Sequence, residues 1–133
     1  MKNVLFVSLM ICLGSHVFAQ TQPENWLKVK NEIGLYGFID ITTGEEVVPC
    51  LYEEIEDFGL LKEEWAVVKT QEGLYGIIDY EGEIILNPEF DSIEGFQESD
   101  YSIVTANGLQ GLIDNQGNLL VYPQYLEIHI NEE

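Results

Sequence analysis

One set of residues recurs three times along the chain, and this repetition limits the possible fold more than any other feature of the sequence. In the central copy the set consists of Tyr75-Gly76, Ile78-Asp79, a turn glycine at Gly82, Pro88 and Phe90. In every copy an aromatic residue follows the turn glycine by eight positions, and an isoleucine follows it by eleven. Because both distances are kept, we interpret the three segments as copies of one structural unit.

The central copy has the pattern of a small β-meander. Apolar residues alternate in Trp65–Val68, a turn containing Gly73 follows, and a second strand is predicted over Leu74–Ile78. Gly82 can adopt the positive φ of a short hairpin loop, after which Glu83–Leu86 forms a third strand that we expect to stop at Asn87-Pro88. A short fourth strand or an irregular packing segment is expected to contain Phe90, Ile93 and Phe96.

The whole chain is therefore predicted to be all-β. We expect three tandem antiparallel β-meander repeats of about 35–39 residues, stacked in an open or propeller-like array, with approximate boundaries 26–64, 65–100 and 101–133. The first and third copies should cap the array. At the C-terminus, Asn131, Glu132 and Glu133 are expected to discourage edge pairing.

The ordered set of recurring residues resembles the WG repeat family, whose units carry an aromatic-Gly pair, an Ile-Asp pair, a turn glycine and a proline before an aromatic residue. The resemblance extends over residues 26–128. The first copy supplies Trp26, Gly34, Tyr36-Gly37, Ile39-Asp40, Gly44, Pro49 and Tyr52, and the third supplies Tyr101, Gly108, Gln110-Gly111, Ile113-Asp114, Gly117, Pro123 and Tyr125. Gln110 departs from the family pattern. The resemblance implies an exported bacterial β-repeat protein and supplies no catalytic residues.

Residues 1–19 have the features of a secretory signal peptide, because Lys2 precedes a short apolar stretch and Ala19 ends the segment. Residues 20–25 form a short polar lead-in. A lipoprotein anchor at Cys12 is the alternative, but bulky Ile11 stands before that cysteine. We expect the chain to be exported to the periplasm, cell surface or medium, without membrane insertion after cleavage. Only Cys50 would then remain, which excludes an intramolecular disulfide.

The charge balance limits the possible partners. The chain has 24 acidic residues against 5 basic ones, a formal net charge of −19, and its basic residues are all lysines. Nucleic acid is not expected as a partner, because binding its phosphates requires lysine and arginine. The expected partner is an unidentified protein or envelope component, and the sequence does not determine the oligomeric state.

Two groups of acidic residues are candidate sites. Asp40, Asp79 and Asp114 each precede a turn glycine, where a carboxylate ordinarily accepts hydrogen bonds from the turn's own amides, and a cation-binding role is the alternative. A second group surrounds apolar residues after the first meander, and we interpret it as a solvated face that can also hold a divalent cation or attract a basic partner. This group consists of Glu53, Glu54, Glu56, Asp57, Glu63 and Glu64.

Aromatic residues at equivalent positions are expected to pack between neighbouring repeats, with a surface track for glycan or peptide as the alternative. Tyr36 and Tyr75 alternate with Gly37 and Gly76 along their strands, so we expect the tyrosines to lie on the opposite face, partly exposed, as weak candidates for binding.

No catalytic residues, metal ligands or cofactor site are predicted. His129 is the only histidine after the predicted signal peptide and should be a solvent-facing strand residue, and the serines have no nucleophile motif. We therefore expect a non-enzymatic, exported β-repeat module for interactions with a protein or the cell envelope. The alternatives are an acidic envelope protein that binds calcium and, less favoured, a small hydrolase.

Overall fold

A computed structural model describes residues 22–96 and 98–131, and this part of the chain contains β-strands and no helix. It therefore contains no helix that could span a membrane. The all-β prediction is confirmed. The predicted signal peptide, the first two residues of the lead-in (Gln20 and Thr21), Gln97, Glu132 and Glu133 lie outside the described residues.

Ten strands form three meanders with a short strand between the second and the third. The strands are β1 (Trp26–Lys30), β2 (Tyr36–Asp40), β3 (Glu46–Ile55), β4 (Trp65–Thr70), β5 (Tyr75–Asp79), β6 (Ile84–Phe90), β7 (Ser92–Ile93), β8 (Tyr101–Ala106), β9 (Leu109–Asp114) and β10 (Leu119–Tyr125). One sheet has the order β1-β2-β3-β4-β5-β6, and the other has the order β10-β9-β8-β7. All pairs are antiparallel, and both sheets are open.

The third strand of a meander also pairs with the next meander. In β3, Val48 lies opposite Phe38 of β2, whereas Ile55 lies opposite Val68 of β4. After the second meander, the short strand β7 makes the contact that the end of β3 makes after the first: Ile93 lies opposite Val104 of β8. The predicted segment around Ile93 is thus a short strand that joins consecutive repeats.

The prediction that proline stops the third strand is wrong. β6 continues through Pro88 to Phe90, because the strand bulges there: Tyr75 pairs with Phe90 and Ile77 with Leu86, so two residues of β5 span four of β6. Proline is tolerated at such a bulge because no ladder hydrogen bond needs its missing N–H. Gly76 lies opposite the bulge, where a Cβ would come 2.7 Å from the nitrogen of Pro88.

The same arrangement occurs in the other two meanders. A Cβ on Gly37 would overlap the carbonyl oxygen of Val48, and one on Gly111 would overlap that of Val121. Glycine is required at these positions because the neighbouring backbone comes too close for any side chain. The close approach at Gly37 and Gly76 is the one that the sequence analysis associated with Tyr36 and Tyr75 lying on the opposite face.

Two hydrophobic cores lie between consecutive meanders. The first joins side chains of the first meander (Trp26, Phe38, Val48, Tyr52, Ile55 and Phe58) to Ala66, Val68 and Ile78 of the second. The second joins Trp65, Ile77, Leu86 and Phe90 to Val104 and Ile113 of the third. Each large apolar side chain buried in this way contributes about 1.5–3 kcal/mol to folding, so neighbouring repeats stabilise each other.

The expected packing role of the aromatic residues holds for the first two copies only. Trp26, Trp65, Tyr52 and Phe90 are buried, whereas Tyr101 and Tyr125 of the third copy are exposed. No other described residues cover these two side chains. The aromatic positions of the third copy therefore do not form the cap that the sequence predicted, and the effect of Asn131 on edge pairing stays a prediction.

Candidate functional site

The repeated aspartates are bound within their own turns. The Oδ1 atom of Asp79 accepts hydrogen bonds from the N–H groups of Glu81 and Glu83, at 2.8 and 2.9 Å. Asp114 Oδ1 accepts the equivalent bonds from the N–H groups of Gln116 and Asn118, at 2.9 and 2.8 Å. These contacts are those expected of a structural aspartate before a turn.

The longer first turn uses a threonine. Asp40 Oδ1 accepts hydrogen bonds from the Thr42 hydroxyl at 2.6 Å and from the Thr42 N–H at 2.8 Å. Hydrogen bonds from Thr42 lower the pKa of Asp40, and hydrogen bonds from Asn118 do the same for the pKa of Asp114. Bonds to the charged form thus keep both groups ionised. Gly44, Gly82 and Gly117 have φ between +76° and +88° and close these turns.

Tyr36 and Tyr75 are half-buried, as predicted, and lysines lie over their rings. The Lys30 ammonium is 5.1 Å from the ring centroid of Tyr36, and the Lys69 ammonium is 5.8 Å from that of Tyr75. These distances are typical of cation–π contacts. Both tyrosines therefore already contact a cation from their own repeat.

The acidic group does not form one site. Glu53 approaches Lys69, with 4.0 Å between Oε1 and Nζ. Glu63 and Glu64 instead lie near Tyr80, whose pKa is raised by burial and by these two carboxylates. Among the described residues, no three acidic, histidine or cysteine side chains are arranged to hold a metal ion.

Glu56 lies on a groove beside the second meander, between the connection that follows β3 and the segment 91–95 that follows β6. The groove encloses about 420 Å³ and is lined by Glu56, Leu60, Leu61, Val67, Tyr75, Asp91, Ser92, Ile93 and Gly95. Partial burial raises the pKa of Glu56, and the nearby carboxylates of Glu54 and Asp57 raise it further. Two carboxylates, Glu56 and Asp91, thus share a groove of mixed polar and apolar lining, to which Leu60, Leu61, Val67 and Ile93 contribute the aliphatic side chains.

Comparison with protein-family models gave three matches to one family, the WG containing repeat. The matched residues are 36–75, 75–109 and 111–133, which together account for more than half of the chain. The chain belongs to this family. Each WG match begins at or just after the aromatic-Gly position, so the family model divides the chain in a different phase from the meanders. The comparisons with curated proteins and with solved structures gave no match.

The third WG repeat replaces its aromatic residue with Gln110, whose side-chain amide makes a hydrogen bond to the segment that follows β10. Gln110 Oε1 accepts a hydrogen bond from the N–H of Ile128 at 2.7 Å. In the first two WG repeats the isoleucine at this position pairs with the next repeat through Val68 or Val104. The glutamine thus holds Ile128 against its own repeat.

Cys50 and His129, which the sequence analysis also considered, have few contacts in this WG chain. Cys50 is a partly exposed free thiol, and burial together with the charge of Glu46 raises its pKa. His129 is exposed, as predicted, and its Nε2 lies 3.4 Å from a carboxylate oxygen of Glu127. The prediction of a strand at His129 is wrong: β10 ends at Tyr125, and none of the described residues pairs with the segment 126–131.

Sequence reasoning missed several groove residues of the WG array. Leu60, Leu61, Asp91 and Ser92 were not predicted to bind a ligand, because they lie outside the recurring set: the first three are in connections, and Ser92 begins the short strand β7. A usable signal was present at Asp91, which directly follows the recurring aromatic Phe90 and occupies the point where one repeat passes to the next. Its Oδ2 accepts a hydrogen bond from the N–H of Asn107 at 2.8 Å.

Proposed function

We propose that the chain is a non-enzymatic, exported interaction module that binds a basic segment of another protein or envelope component in the groove beside Tyr75. The observation that carries the proposal is the combination of Glu56 and Asp91 with the aliphatic walls formed by Leu60, Leu61 and other apolar side chains. Such a groove suits an extended segment in which cationic and apolar side chains alternate.

The electrostatics of Glu56 support a cationic ligand. Its pKa is raised because the carboxylate is partly desolvated and faces other carboxylates rather than a cation. A lysine or arginine placed in the groove would relieve this repulsion. The net charge of −19 would also draw basic partners towards the surface and speed their encounter with it.

Export is part of the proposal and has its own test. The full-length sequence is expressed in a bacterium, the envelope and cytoplasmic fractions are separated, and intact mass spectrometry determines the N-terminus. We expect a product that begins at Gln20 and occurs in the envelope fraction or the medium. A cytoplasmic product that retains residues 1–19 would contradict export.

Binding is tested with a labelled peptide library that alternates lysine or arginine with leucine or phenylalanine, measured by fluorescence polarisation. Glu56→Lys should weaken binding of the best peptide about tenfold, by placing a like charge in the groove. Glu83→Lys is the matched control, because it makes the same charge change in an exposed turn at the other end of the β5–β6 hairpin.

The results separate groove binding from general attraction. Equal weakening by the two substitutions would mean that only net charge matters, and equal affinity for a glutamate-containing peptide library would also contradict the proposal. Binding should decrease at high salt, because screening weakens attraction between exposed charges. As a further test, envelope extract is passed over the immobilised chain, and any captured protein should be lost with Glu56→Lys but kept with Glu83→Lys.

The calcium-binding alternative remains a prediction, and no arrangement among the described residues favours it over the peptide groove. Calorimetric titration with millimolar calcium is the direct measurement, and absence of both heat and a thermal shift would dispose of it.

A further inference from the structure

The second meander buries one of its sides against the first meander, and the equivalent side of the first meander is uncovered. In the second repeat, Ala66, Val68 and Ile78 pack against the first repeat and are fully buried. The equivalent residues of the first repeat are Leu27, Val29 and Ile39, which we call the entry face. Leu27 is 49% exposed, and the other two are partly exposed.

The third meander leaves the opposite side uncovered. Tyr52 and Phe90 of the first two repeats are buried beneath the following repeat, with exposures of 4% and 2%. The equivalent Tyr125 is 52% exposed, and Tyr101 is 42% exposed where Trp26 and Trp65 are buried. We call the set Tyr101, Val121, Tyr125 and Ile128 the exit face. These side chains correspond to those that the first two repeats contribute to the cores between meanders, and no described residues pack on them from the other side.

The turn glycines give a second indication of the missing contacts. A Cβ on Gly82 would lie 2.5 Å from the carbonyl oxygen of Val47, and a Cβ on Gly117 would overlap the side chain of Ile85, so both turns press on the preceding repeat. Gly44 has the same left-handed φ, +76°, but nothing lies within 4 Å of its Cβ position. Among the described residues, none contacts the Gly44 turn at the position where a preceding repeat contacts the turns of Gly82 and Gly117.

The pairing register gives a third indication, based on charge. Where the first repeat meets the second, Glu54 lies opposite Lys69 and Ile55 opposite Val68. At the next junction Ser92 lies opposite Thr105 and Ile93 opposite Val104. If the register continued from the last repeat to the first repeat of another copy, Glu127 would lie opposite Lys30 and Ile128 opposite Val29. An acidic residue would again lie opposite a lysine in the ladder, although Lys69 itself makes its ion pair with the adjacent Glu53.

We propose that copies of this chain associate head to tail, with the exit face of one copy on the entry face of the next and residues 126–130 added as a strand beside β1. The hydrogen bond from Ile128 N–H to Gln110 already holds this segment against its own repeat. The contact joins two different surfaces, so it propagates into a row of copies unless the rotation closes a ring. The net charge of −19 opposes association, which is therefore weak and favoured by moderate salt.

The test is sedimentation velocity of the purified chain in 0.3 M salt, at concentrations from about 10 μM to about 1 mM, the range in which weak association is measurable. The weight-average mass should rise with concentration. Lys30→Glu and Glu127→Lys should each weaken association about tenfold, and the double substitution in one chain should restore it, because the opposed charges are merely exchanged.

The single substitutions distinguish a specific contact from general repulsion. Glu127→Lys makes the chain less acidic, so net charge alone would strengthen association, whereas the proposed register weakens it. Glu83→Lys is the control with the same charge change away from both faces. Gly44→Asn should abolish association while leaving the urea midpoint at low concentration nearly unchanged, since asparagine tolerates a left-handed φ and the site is open in a single copy.

Three results would overturn the proposal: a constant monomer mass, failure of the double substitution to restore association, or hydrogen exchange showing the entry face protected by residues 20–25 of the same chain. The groove that the proposed peptide occupies lies away from both faces, so peptide binding and association can fail independently.

Discussion

At the scale of single residues, Gly76 shows how a missing side chain determines the shape of a repeat. The strand opposite bulges at Pro88, and the two backbones come so close that only hydrogen fits on the α-carbon. The same twelve-residue interval separates Gly37 from Pro49, Gly76 from Pro88 and Gly111 from Pro123. Glycine and proline thus act as one structural pair in every repeat.

Gly76→Ala should therefore be strongly destabilising. The new methyl group would lie 2.5 Å from the carbonyl oxygen of Leu86, and relief requires moving a strand, so we expect a loss of about 2–4 kcal/mol in the free energy of unfolding. Urea denaturation followed by tryptophan fluorescence measures it. Gly95→Ala is the control, because nothing lies within 4 Å of its Cβ position. Equal stability of the two variants would contradict the close approach at Gly76.

Glu56 should make folding less favourable as the pH rises. The pKa of Glu56 in the folded chain lies above the value of 4.5 in the unfolded chain. At low pH the carboxyl is protonated in both states and does not affect the free energy of unfolding. As the pH rises from 4.5 through the folded-state pKa, the unfolded chain ionises first and the folded chain loses stability. Glu56→Gln should raise the urea midpoint at neutral pH but leave it unchanged below about pH 4. Glu83→Gln removes the same charge from an exposed turn and should give a smaller gain. A lower midpoint for Glu56→Gln at neutral pH would show that the carboxylate is stabilising instead.

At the scale of strands and meanders, the hairpins could be predicted from local sequence patterns. The bulged strands and the groove depend on contacts between distant residues and could not. Gly82 and Asp79 form the turn that their sequence positions predict, because the interactions involved span only four residues. The passage of β6 through Pro88 was not predictable in the same way, because proline is tolerated there only through a bulge opposite Gly76. Likewise, the groove at Glu56 and Asp91 depends on how two meanders pack, which no local pattern specifies.

Stacking between meanders predicts different costs at equivalent positions. Tyr52→Ala should lower the free energy of unfolding by about 3–5 kcal/mol, because it opens a cavity in the first core. Tyr125→Ala makes the same chemical change at a half-exposed position and should cost less than about 1 kcal/mol. Urea denaturation at low micromolar concentration compares the two without association. Similar losses would mean that Tyr125 is covered by part of the same chain.

At the scale of the whole molecule, two features act against each other. Consecutive meanders stabilise each other through shared cores, as expected of a repeat protein, and leave one apolar face uncovered at each end. The high negative charge opposes uncontrolled aggregation of such faces, since like-charged molecules repel. The proposed contact of Lys30 with Glu127 would be favoured over others because its charges are opposite. An open array can in this way expose apolar faces at both ends while repulsion between like charges opposes aggregation.

The same charge should destabilise the single chain at low salt. Raising sodium chloride from about 20 mM to about 500 mM shortens the Debye length from roughly 20 Å to roughly 4 Å, so repulsion among the exposed carboxylates is largely screened. We expect Tm to rise by about 3–6 °C, which corresponds to roughly 1 kcal/mol for a domain of this size. Differential scanning fluorimetry at low micromolar concentration measures this rise for the single chain. A variant with Glu32→Gln, Glu72→Gln and Glu81→Gln, all at exposed positions in turns between strands, should begin at a higher Tm in low salt and gain less from added salt. A salt response equal in the two chains would show that repulsion among these carboxylates does not limit stability, and that the acidic surface is retained at no energetic cost to the fold.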